Sequence, residues 1–588
     1  MRKVKCDESF PVCNRCVSTG RICDGYGVWG GGGNQYGGRQ SSDSPPDMLD
    51  APPPLVCISP VIASMDDKAS FDWFRAKTIV KLPGSYLSDF WTKILLQASH
   101  KEQAVWHAIL ALSTTHRVGL VETGSDPDET TRSSLEQTSL RHLIRAVRYL
   151  HPHFSATDKA SPRVVLIVCL VFVVHDLLRG HFVSAQVHLR NGLSILAQRQ
   201  IATQGKKLRY SEPIDDTIGE AFFRLHSQVE LLQHQHCPRP CPLPEPLQPL
   251  HHPGQEHYGL IPSRFPSFTS AWRGLDQCLN EIFRLSAHAR ALDLHDEDPA
   301  ASKALITHQQ RITHALQTWL SAYNAALPTL QSSPSPAIAK AKATVHRLIL
   351  AYHTMLTIMA ATTPSTSETT FDTHTPAFKT IIFLLSRMWK LYAADPSHPA
   401  MSNPAAASAF HSIRNGTGSP KKQWIGTCDM GHTIVDIGWM IPLFYTATRC
   451  RERRVRRTAI QLLESTNHRE GIWDAKITAC IARRVMEIEE GDFYDGCGGS
   501  SDLDNGVSIP DEDGQGQRDR ASSSSAFTSE AKSEPGPDQV LPESSRIRDL
   551  EVRMEGDPLE RVLLFGSWEG MNGRVSLGEY DVLEQRWL

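Results

Sequence analysis

The chain has little net charge and no hydrophobic run long enough to cross a membrane. Its 588 residues carry a formal net charge of −3, so no overall basic field attracts it to nucleic acid, and any affinity for DNA must come from a local patch. The longest apolar run, 164–174, falls well short of the roughly 20 residues of a membrane-spanning helix. The sequence therefore predicts a soluble, intracellular chain without a membrane partner.

Signatures of common enzyme sites are also missing. The sequence contains no Gly-x-Ser-x-Gly, no His-Glu-x-x-His and no dinucleotide-binding fingerprint after a strand. A histidine- and cysteine-rich segment, 234–257, could ligate a metal in an enzyme, but its interleaved prolines indicate an extended, solvated loop. We therefore predict that the chain is not an enzyme. Zinc retained by a protein lacking residues 1–60 would contradict that prediction.

Cysteine is concentrated at one end of the chain. Four of the 13 cysteines follow a C-x6-C-x2-C-x6-C spacing, preceded by basic residues, while the other nine are scattered. A segment this short cannot bury enough apolar surface to fold alone, and thiolates are favoured ligands of tetrahedral zinc. Because no secretory signal precedes the cysteines, zinc is favoured over disulfides, which remain the alternative. The predicted zinc ligands are Cys6, Cys13, Cys16 and Cys23.

This segment resembles the fungal binuclear zinc-cluster transcription factors. Besides the cysteines, the resemblance includes Pro11 and Gly20 and the basic run before Cys6. The family has six cysteines that hold two zinc ions, and the present chain matches the third to the sixth. A start codon placed inside the cluster would explain the difference, a degraded cluster is the alternative, and one zinc held by four thiolates is stoichiometrically possible.

The resemblance implies a zinc-dependent, sequence-specific regulator of RNA polymerase II transcription in the nucleus. Its expected partner is double-stranded DNA with GC-rich triplets. By family position, Lys3 corresponds to the base-reading lysine, with Arg2 and Lys5 as neighbours that contact phosphates. The alternative is a helical interaction or ligand-sensing protein that has lost DNA binding.

The rest of the chain predicts an all-α fold. A Gly-, Ser- and Pro-rich stretch, 30–60, reads as a flexible linker after a partial zinc-cluster domain, 1–29, and it contains no heptad pattern for a coiled coil. From 61 to 490, apolar residues recur at helical spacing. Candidate helices within this large regulatory domain include 343–361, 378–392 and 435–463.

Three separated segments of the helical region resemble the fungal-specific transcription factor middle domain. They are the opening at 83–113, the stretch 178–196, which contains Asn191-Gly192, and the stretch 450–473, which contains Glu470-Gly471 and Trp473. The resemblance implies a domain that controls when DNA binding acts, with a small-molecule effector, coactivators and a homodimer as open expectations. Trp91, Trp106 and Trp473 are expected in the core, and His107 and His188 are expected to pack rather than to ligate.

Two charged regions have competing interpretations. The arginines between 449 and 457 could form a nuclear-import signal or a phosphate-binding patch, but a solvated helix face is favoured. The tract 491–546 carries 12 acidic and four basic residues, so we expect a disordered insertion, with transcriptional activation as the alternative. The last stretch, 547–588, regains apolar and aromatic residues and is expected to dock on the helical domain.

Overall fold

The structure is a computed structural model of the chain. It describes residues 64–84, 88–121, 129–156, 160–204, 213–233, 261–292, 299–333, 335–363, 365, 367–393, 433–494, 540–571 and 573–588. The predicted zinc cluster, the linker 30–60, the histidine-rich segment 234–257 and most of the acidic tract lie outside these residues.

Fourteen α-helices make up most of the described part of the chain. Helix α1 ends at Trp73 and is continued by a π turn, Phe74–Thr78, and a single helical turn, Ile79–Lys81, while a second π turn, Phe90–Ile94, precedes α2. The helices are α1 Met65–Trp73, α2 Leu95–Lys101, α3 Gln103–Val121, α4 Glu129–Leu150, α5 Ser161–Leu178, α6 Phe182–Gln204, α7 Pro213–Gln233, α8 Phe268–Leu292, α9 Pro299–Gln331, α10 Pro336–Thr362, α11 Thr375–Ala393, α12 Met440–Arg449, α13 Arg453–Glu464 and α14 Ala475–Glu490. The all-α prediction for the regulatory domain is confirmed.

Helix α5 is the most apolar element of the core. By length and composition it could cross a membrane, with a mean hydropathy of 2.0, but 83% of it is buried inside the fold. Neighbouring helices cover it on all sides, so it has no polar face, unlike the amphipathic helices around it. We therefore interpret it as the central helix of a folded domain.

The predicted helices differ from the observed ones at one end of the domain. The candidates 343–361 and 378–392 correspond to α10 and α11, whereas the candidate 435–463 is divided into α12 and α13. The break lies at Cys450, whose backbone is extended with φ −84° and ψ 124°. The side chain of Glu452 then accepts a hydrogen bond from Val455 N and begins α13.

A small three-stranded sheet lies between the last helices. Strand β1 (Thr433–Ile434) pairs in parallel with β2 (Arg469–Glu470), which pairs antiparallel with β3 (Trp473–Asp474). Gly471 turns between β2 and β3 with φ +55°, a left-handed conformation that favours glycine. Strand β3 leads directly into α14, and the side chain of Asp474 at its end caps the first turn of that helix.

The end of the chain forms an antiparallel sheet that the sequence analysis did not predict. Its strands lie in the order β4 (Arg548–Glu555), β5 (Arg561–Ser567), β6 (Val575–Asp581) and β7 (Arg586–Trp587). Apolar residues alternate inward along β5, where Val562 and Leu564 are buried. The sheet contacts the helices through main-chain and side-chain bonds, including Leu559 N to Gly180 O at 3.0 Å.

Candidate functional site

The residues predicted to bind zinc and DNA lie outside the described part of the chain, and their roles remain predictions. They are the ligands Cys6, Cys13, Cys16 and Cys23 and the DNA-contacting Arg2, Lys3 and Lys5. The donor set can still be tested against the metal. Four thiolates are the ligands that structural zinc prefers, and their count matches a tetrahedral site.

The cysteines of the described core are poor metal ligands. Burial raises the pKa of the Cys169 and Cys278 thiols to about 12 and that of Cys450 and Cys480 to about 11. A protonated thiol neither binds zinc nor attacks electrophiles. Within the described ranges, no three His, Cys, Asp or Glu side chains are grouped as metal ligands.

Two internal cavities of the helical domain are each about 10 Å³. One lies between α5, α6 and α7 beside Gln228, and the other lies beside Arg224 and Asp436. This volume holds about one water molecule, whereas pockets for organic ligands measure about 300–1,000 Å³. Neither cavity can hold the small-molecule effector that the sequence analysis left open.

The third family-like segment has a clear structural role. Glu470 is buried, and its carboxylate accepts hydrogen bonds from the main-chain N–H groups of Gly438, Trp439 and Met440 at 2.8–3.2 Å, at the start of α12. A negative charge at a helix N-terminus is stabilised by the helix dipole. Trp473, 1% exposed, donates from Nε1 to Gln228 O on α7 at 3.1 Å. This segment therefore connects α7, α12 and α14.

A second buried charge group joins α7 and α8 to the turn after β1. Arg224 donates to Asp436 at 2.7 Å and lies 3.3 Å from Asp276, with its guanidinium over the ring of Trp272. Burial raises the pKa of Asp276 to about 7 against the opposing charge of Arg224. The group is enclosed by helices, and its geometry is that of a structural link.

The run of arginines between 449 and 457 divides into a solvent-exposed half and a buried half, so the predicted solvated face is corrected for the buried half only. Arg449, Arg451 and Arg456 are at most 4% exposed. Arg449 pairs with Glu368 at 2.7 Å, and Arg451 pairs with Glu368 at 2.9 Å and with Glu489 at 2.8 Å. Arg456 also bonds to Glu489. We call these five residues the buried arginine cluster.

Electrostatics within the buried arginine cluster favour the charged forms. Burial alone would raise the pKa of Glu489, but the charges of Arg451 and Arg456 outweigh it and hold the pKa at about 2. Burial alone would likewise lower the pKa of Arg451, and the two carboxylates raise it instead. Glu489 and Arg451 are therefore both ionised near neutral pH. Such an arrangement cannot serve as an exposed import signal or phosphate patch.

The buried arginine cluster continues into residues 543–547, so the last residues of the acidic tract pack on the helical domain together with the start of the C-terminal segment. Ile547 N donates to Glu489 Oε1 at 2.8 Å, and Arg546, which has no exposed surface, pairs with Asp372 at 2.7 Å. Glu543 accepts from the N–H groups of Glu368 and Thr369, at the start of a 3₁₀ helix. The helical domain and the C-terminal sheet thus share one polar network.

The two histidines expected to pack differ in burial. His107 is buried and lies 3.1 Å from the His142 ring, which faces Asp67 at 3.4 Å, and burial lowers the pKa of His107 to about 4. His188 is 39% exposed at its side chain and lies 3.6 Å from Asp176. The packing prediction is confirmed for His107, and His188 also packs, with its ring edge-to-face against that of Phe172 at 5.6 Å between centroids. Trp91, Trp106 and Trp473 are buried as predicted.

Comparison with protein families identifies the chain. The family described as "Fungal specific transcription factor domain" matches residues 75–410, more than half of the sequence. The chain belongs to the fungal-specific transcription factors. The family described as "Fungal Zn(2)-Cys(6) binuclear cluster domain" matches residues 1–28. This fungal transcription factor is therefore a transcription regulator with zinc as its metal, and it is not an enzyme.

Two curated relatives of this fungal transcription factor are also regulators. The Aspercryptin biosynthesis cluster-specific transcription regulator atnN of Emericella nidulans is 24% identical over 564 residues, covering 83% of this chain and 86% of that protein. Transcription regulator lscL of Purpureocillium lilacinum is 27% identical over 209 residues, covering 33% of this chain and 47% of that protein. No solved structure matches.

Sequence reasoning missed the carboxylates that pair with the arginines. Glu368 and Glu489 lie far from α13 in the sequence, and no short motif joins them to it. One feature of the sequence could have indicated that the arginines are buried: the arginine run lies between the apolar segments 441–444 and 460–463. Helices flanked in this way are often buried, and their charges then need partners.

Proposed function

We propose that this chain is a nuclear, sequence-specific DNA-binding regulator of RNA polymerase II transcription that reads GC-rich triplets. The observation that carries the proposal is the occurrence of two matched domains in one chain, a zinc-cluster domain at 1–28 and a regulatory domain at 75–410. The near-neutral net charge supports a local DNA-contacting patch rather than a general electrostatic attraction.

The proposed DNA-contacting residues lie directly before the first thiolate. Zinc, when bound to Cys6, Cys13, Cys16 and Cys23, cross-links a peptide that is too small to fold alone. Lys3 extends a long cation that donates to guanine acceptors, and Arg2 and Lys5 pair with phosphates and set the register on the duplex. The two roles differ in effect, because phosphate contacts add affinity without adding specificity.

The remaining domains have proposed regulatory roles. We divide the chain into the zinc-cluster segment 1–29, the linker 30–60, the helical domain 61–490, the acidic tract 491–546 and the C-terminal segment 547–588. Coactivators are proposed partners of the acidic tract, and a homodimer is proposed for binding paired triplets. A small-molecule effector is also a proposed regulatory input, and it would need a site other than the two cavities of about 10 Å³.

The test combines zinc analysis with a binding selection on random duplex DNA. Two proteins are purified, the 588-residue chain and a longer form that includes the residues encoded in frame upstream of Met1, each with a Cys13→Ala variant. The Cys57→Ala variant is the matched control, because Cys57 lies outside the four-cysteine spacing. We expect stoichiometric zinc and enrichment of GC-rich triplets, both lost in Cys13→Ala and retained in Cys57→Ala.

Two results would overturn the proposal. Undiminished zinc in Cys13→Ala would show that the predicted ligand set is wrong. Equal binding of all duplexes by both forms would instead favour a helical interaction protein without specific DNA recognition. A Lys3→Ala variant separates the roles further, since it should relax triplet preference, whereas Arg2→Ala should weaken binding to all duplexes alike.

The relative from Emericella nidulans suggests a type of target. Its name describes a regulator specific to one biosynthesis cluster, and its alignment spans most of both chains. We propose that the present chain likewise acts on one set of biosynthetic genes. Chromatin immunoprecipitation should recover a few adjacent promoters, and recovery of hundreds of dispersed promoters would contradict this.

A further inference from the structure

Helix α4 carries an apolar stripe on its solvent side. Leu140, Ile144 and Val147 are 55%, 55% and 52% exposed, and Phe154, in the 3₁₀ turn that follows, is 65% exposed. Residues spaced by three and four positions lie on the same face of a helix. The core side of α4 is a separate face, where Ser139, Ala146 and Leu150 are buried. The stripe is therefore a second apolar face.

A row of cations borders this stripe. Arg141, Arg145 and Arg148 repeat at the same spacing one residue further along, so they lie on the neighbouring exposed face. Arg141 donates to Thr138 on its own helix, and neither Arg145 nor Arg148 has an ion-pair partner among the described residues. An occupant of this surface must supply apolar side chains next to negative charge.

The chain itself contains one long segment of that chemistry. Of the undescribed segments longer than 20 residues, three (1–63, 234–260 and 394–432) are within one charge of neutrality. The fourth, 495–539, has ten acidic and three basic residues, with Leu503, Val507 and Ile509 placed among the carboxylates. A second copy of α4 would instead bring arginines against arginines. Charge complementarity therefore favours 495–539.

We propose that the acidic tract 495–539 binds in cis to the basic, apolar face of α4 formed by Leu140, Ile144, Val147 and the three arginines. Its length permits this, since 45 residues can span up to about 150 Å, more than the diameter of a domain of this size. Tethering at both ends, after Tyr494 and before Val540, gives the tract a high effective concentration at the surface.

The contact would withhold the tract from other proteins. This consequence rests on the proposed function, in which the tract recruits coactivators, whereas the contact itself does not depend on DNA binding or zinc. A coactivator that engages the same apolar residues must compete with α4, so binding is suppressed until the intramolecular contact opens.

Site-specific photocrosslinking in the full chain tests the contact. Val147 is replaced by p-benzoylphenylalanine, the protein is irradiated at low salt, and crosslinked peptides are identified by mass spectrometry. Ile306, 51% exposed on α9, is the matched control position. We expect intramolecular crosslinks from position 147 to 495–539, and a yield from position 306 lower by about fivefold or more, because a charge-matched surface concentrates its partner.

Charge exchange tests the complementarity. The first set of changes reverses the charge of α4 with Arg141→Glu, Arg145→Glu and Arg148→Glu, and it should lower the crosslink yield by at least about fivefold. The second set reverses the charge of the tract with Asp511→Lys, Glu512→Lys and Asp513→Lys, and adding it to the first should restore the yield. All six positions are tested in proteins whose thermal melting matches that of the parent chain.

Several outcomes would overturn the proposal. Crosslinks between two copies would assign the face to a homodimer, and crosslinks only to added anionic vesicles would assign it to a lipid surface. An unchanged yield after deletion of 495–539, or no crosslink at low salt, would also reject the contact. None of these measurements involves DNA. A result that rejects the contact therefore does not reject the proposed DNA binding, and a loss of DNA binding does not reject the contact.

Discussion

At the scale of the residue, buried charge has the largest energetic consequence. Glu489 is the shared partner of Arg451 and Arg456, and none of the three side chains has exposed surface. We predict that Glu489→Ala lowers the free energy of unfolding by about 3–5 kcal/mol, because two guanidinium groups lose a buried counter-charge. Urea denaturation followed by circular dichroism measures the change.

The control for this substitution is an exposed ion pair of the same type. Glu464 and Arg483 lie 2.5 Å apart with 39% and 45% of their side chains exposed. Solvent screens such a pair, so Glu464→Ala should change the stability by about 1 kcal/mol or less. Equal losses for Glu464→Ala and Glu489→Ala would mean that the buried arginine cluster is not held by charge.

A buried histidine predicts how stability depends on pH. His116 is 2% exposed and bonds through Nδ1 to Thr78 Oγ1 at 2.7 Å, and burial together with Lys81 lowers its pKa from 6.5 to about 4. Between these values the unfolded chain binds the proton and the folded chain does not, so stability falls as the pH drops from 6.5 to 4. His116→Gln removes this titrating group, so it should remove the contribution of one proton to the pH dependence of stability.

Unfolding free energies at several pH values check this prediction. The slope of stability against pH should become shallower in His116→Gln between pH 4 and 6.5, and it should be unchanged above pH 7. A slope identical to that of the parent protein across the whole range would mean that His116 titrates alike in both states.

At the scale of the element, one glycine decides how closely three helices pack. A Cβ atom on Gly192 of α6 would lie 2.1 Å from the Phe222 ring of α7 and 3.1 Å from Cys169 Sγ of α5. Phe222 has no exposed surface and therefore little room to move. We predict that Gly192→Ala destabilises the protein by about 1–3 kcal/mol, measured as a lower melting temperature.

Gly219 provides the matched control within the helical domain. It lies in α7, and a Cβ atom there would meet nothing within 4 Å. Alanine has the higher helix propensity, so Gly219→Ala should stabilise the protein by about 0.5–1 kcal/mol. If Gly192→Ala also raised the melting temperature, close packing of α6 against α7 could not be the reason for glycine at position 192.

The helices could be predicted from the sequence because apolar spacing within one segment indicates a helix. The C-terminal strands could not be predicted in this way. Apolar spacing within α10 and α11 located both helices, while the C-terminal strands are defined by pairing between separate segments and contain exposed residues such as Val575. Burial of Arg451 depends on Glu368 and Glu489, which approach it only after the chain folds. The zinc ligands were proposed from spacing alone, since four thiolates lie within one short segment.

At the scale of the whole molecule, the helical domain forms one polar network with the end of the acidic tract and the C-terminal segment that follows it. Arg546 donates to Leu541 O, to Glu368 O and to both carboxylate oxygens of Asp372, at 2.7–3.0 Å. These bonds tie the chain before β4 to the 3₁₀ helix Glu368–His374. Removal of this side chain should therefore loosen both partners together.

We predict that Arg546→Ala releases the C-terminal sheet from the helical domain. The variant leaves Asp372 and two carbonyl groups without their donor, so amide hydrogens of β4 and of the 3₁₀ helix Glu368–His374 should exchange faster, by about tenfold or more. Hydrogen exchange followed by mass spectrometry resolves both segments. Protection of α5, which lies away from this contact, should change little, since local opening leaves distant elements folded.

The matched control is an arginine of the same sheet that faces solvent. Arg561 pairs with Glu579 at 2.9 Å with 50% of its side chain exposed, and it makes no ion pair with the described helices. Arg561→Ala should therefore leave exchange in Glu368–His374 unchanged. Faster exchange confined to β4 in Arg546→Ala would mean that the sheet is held by its apolar contacts, with Leu550 and Val552 buried, and that Arg546 does not connect the two parts of the molecule.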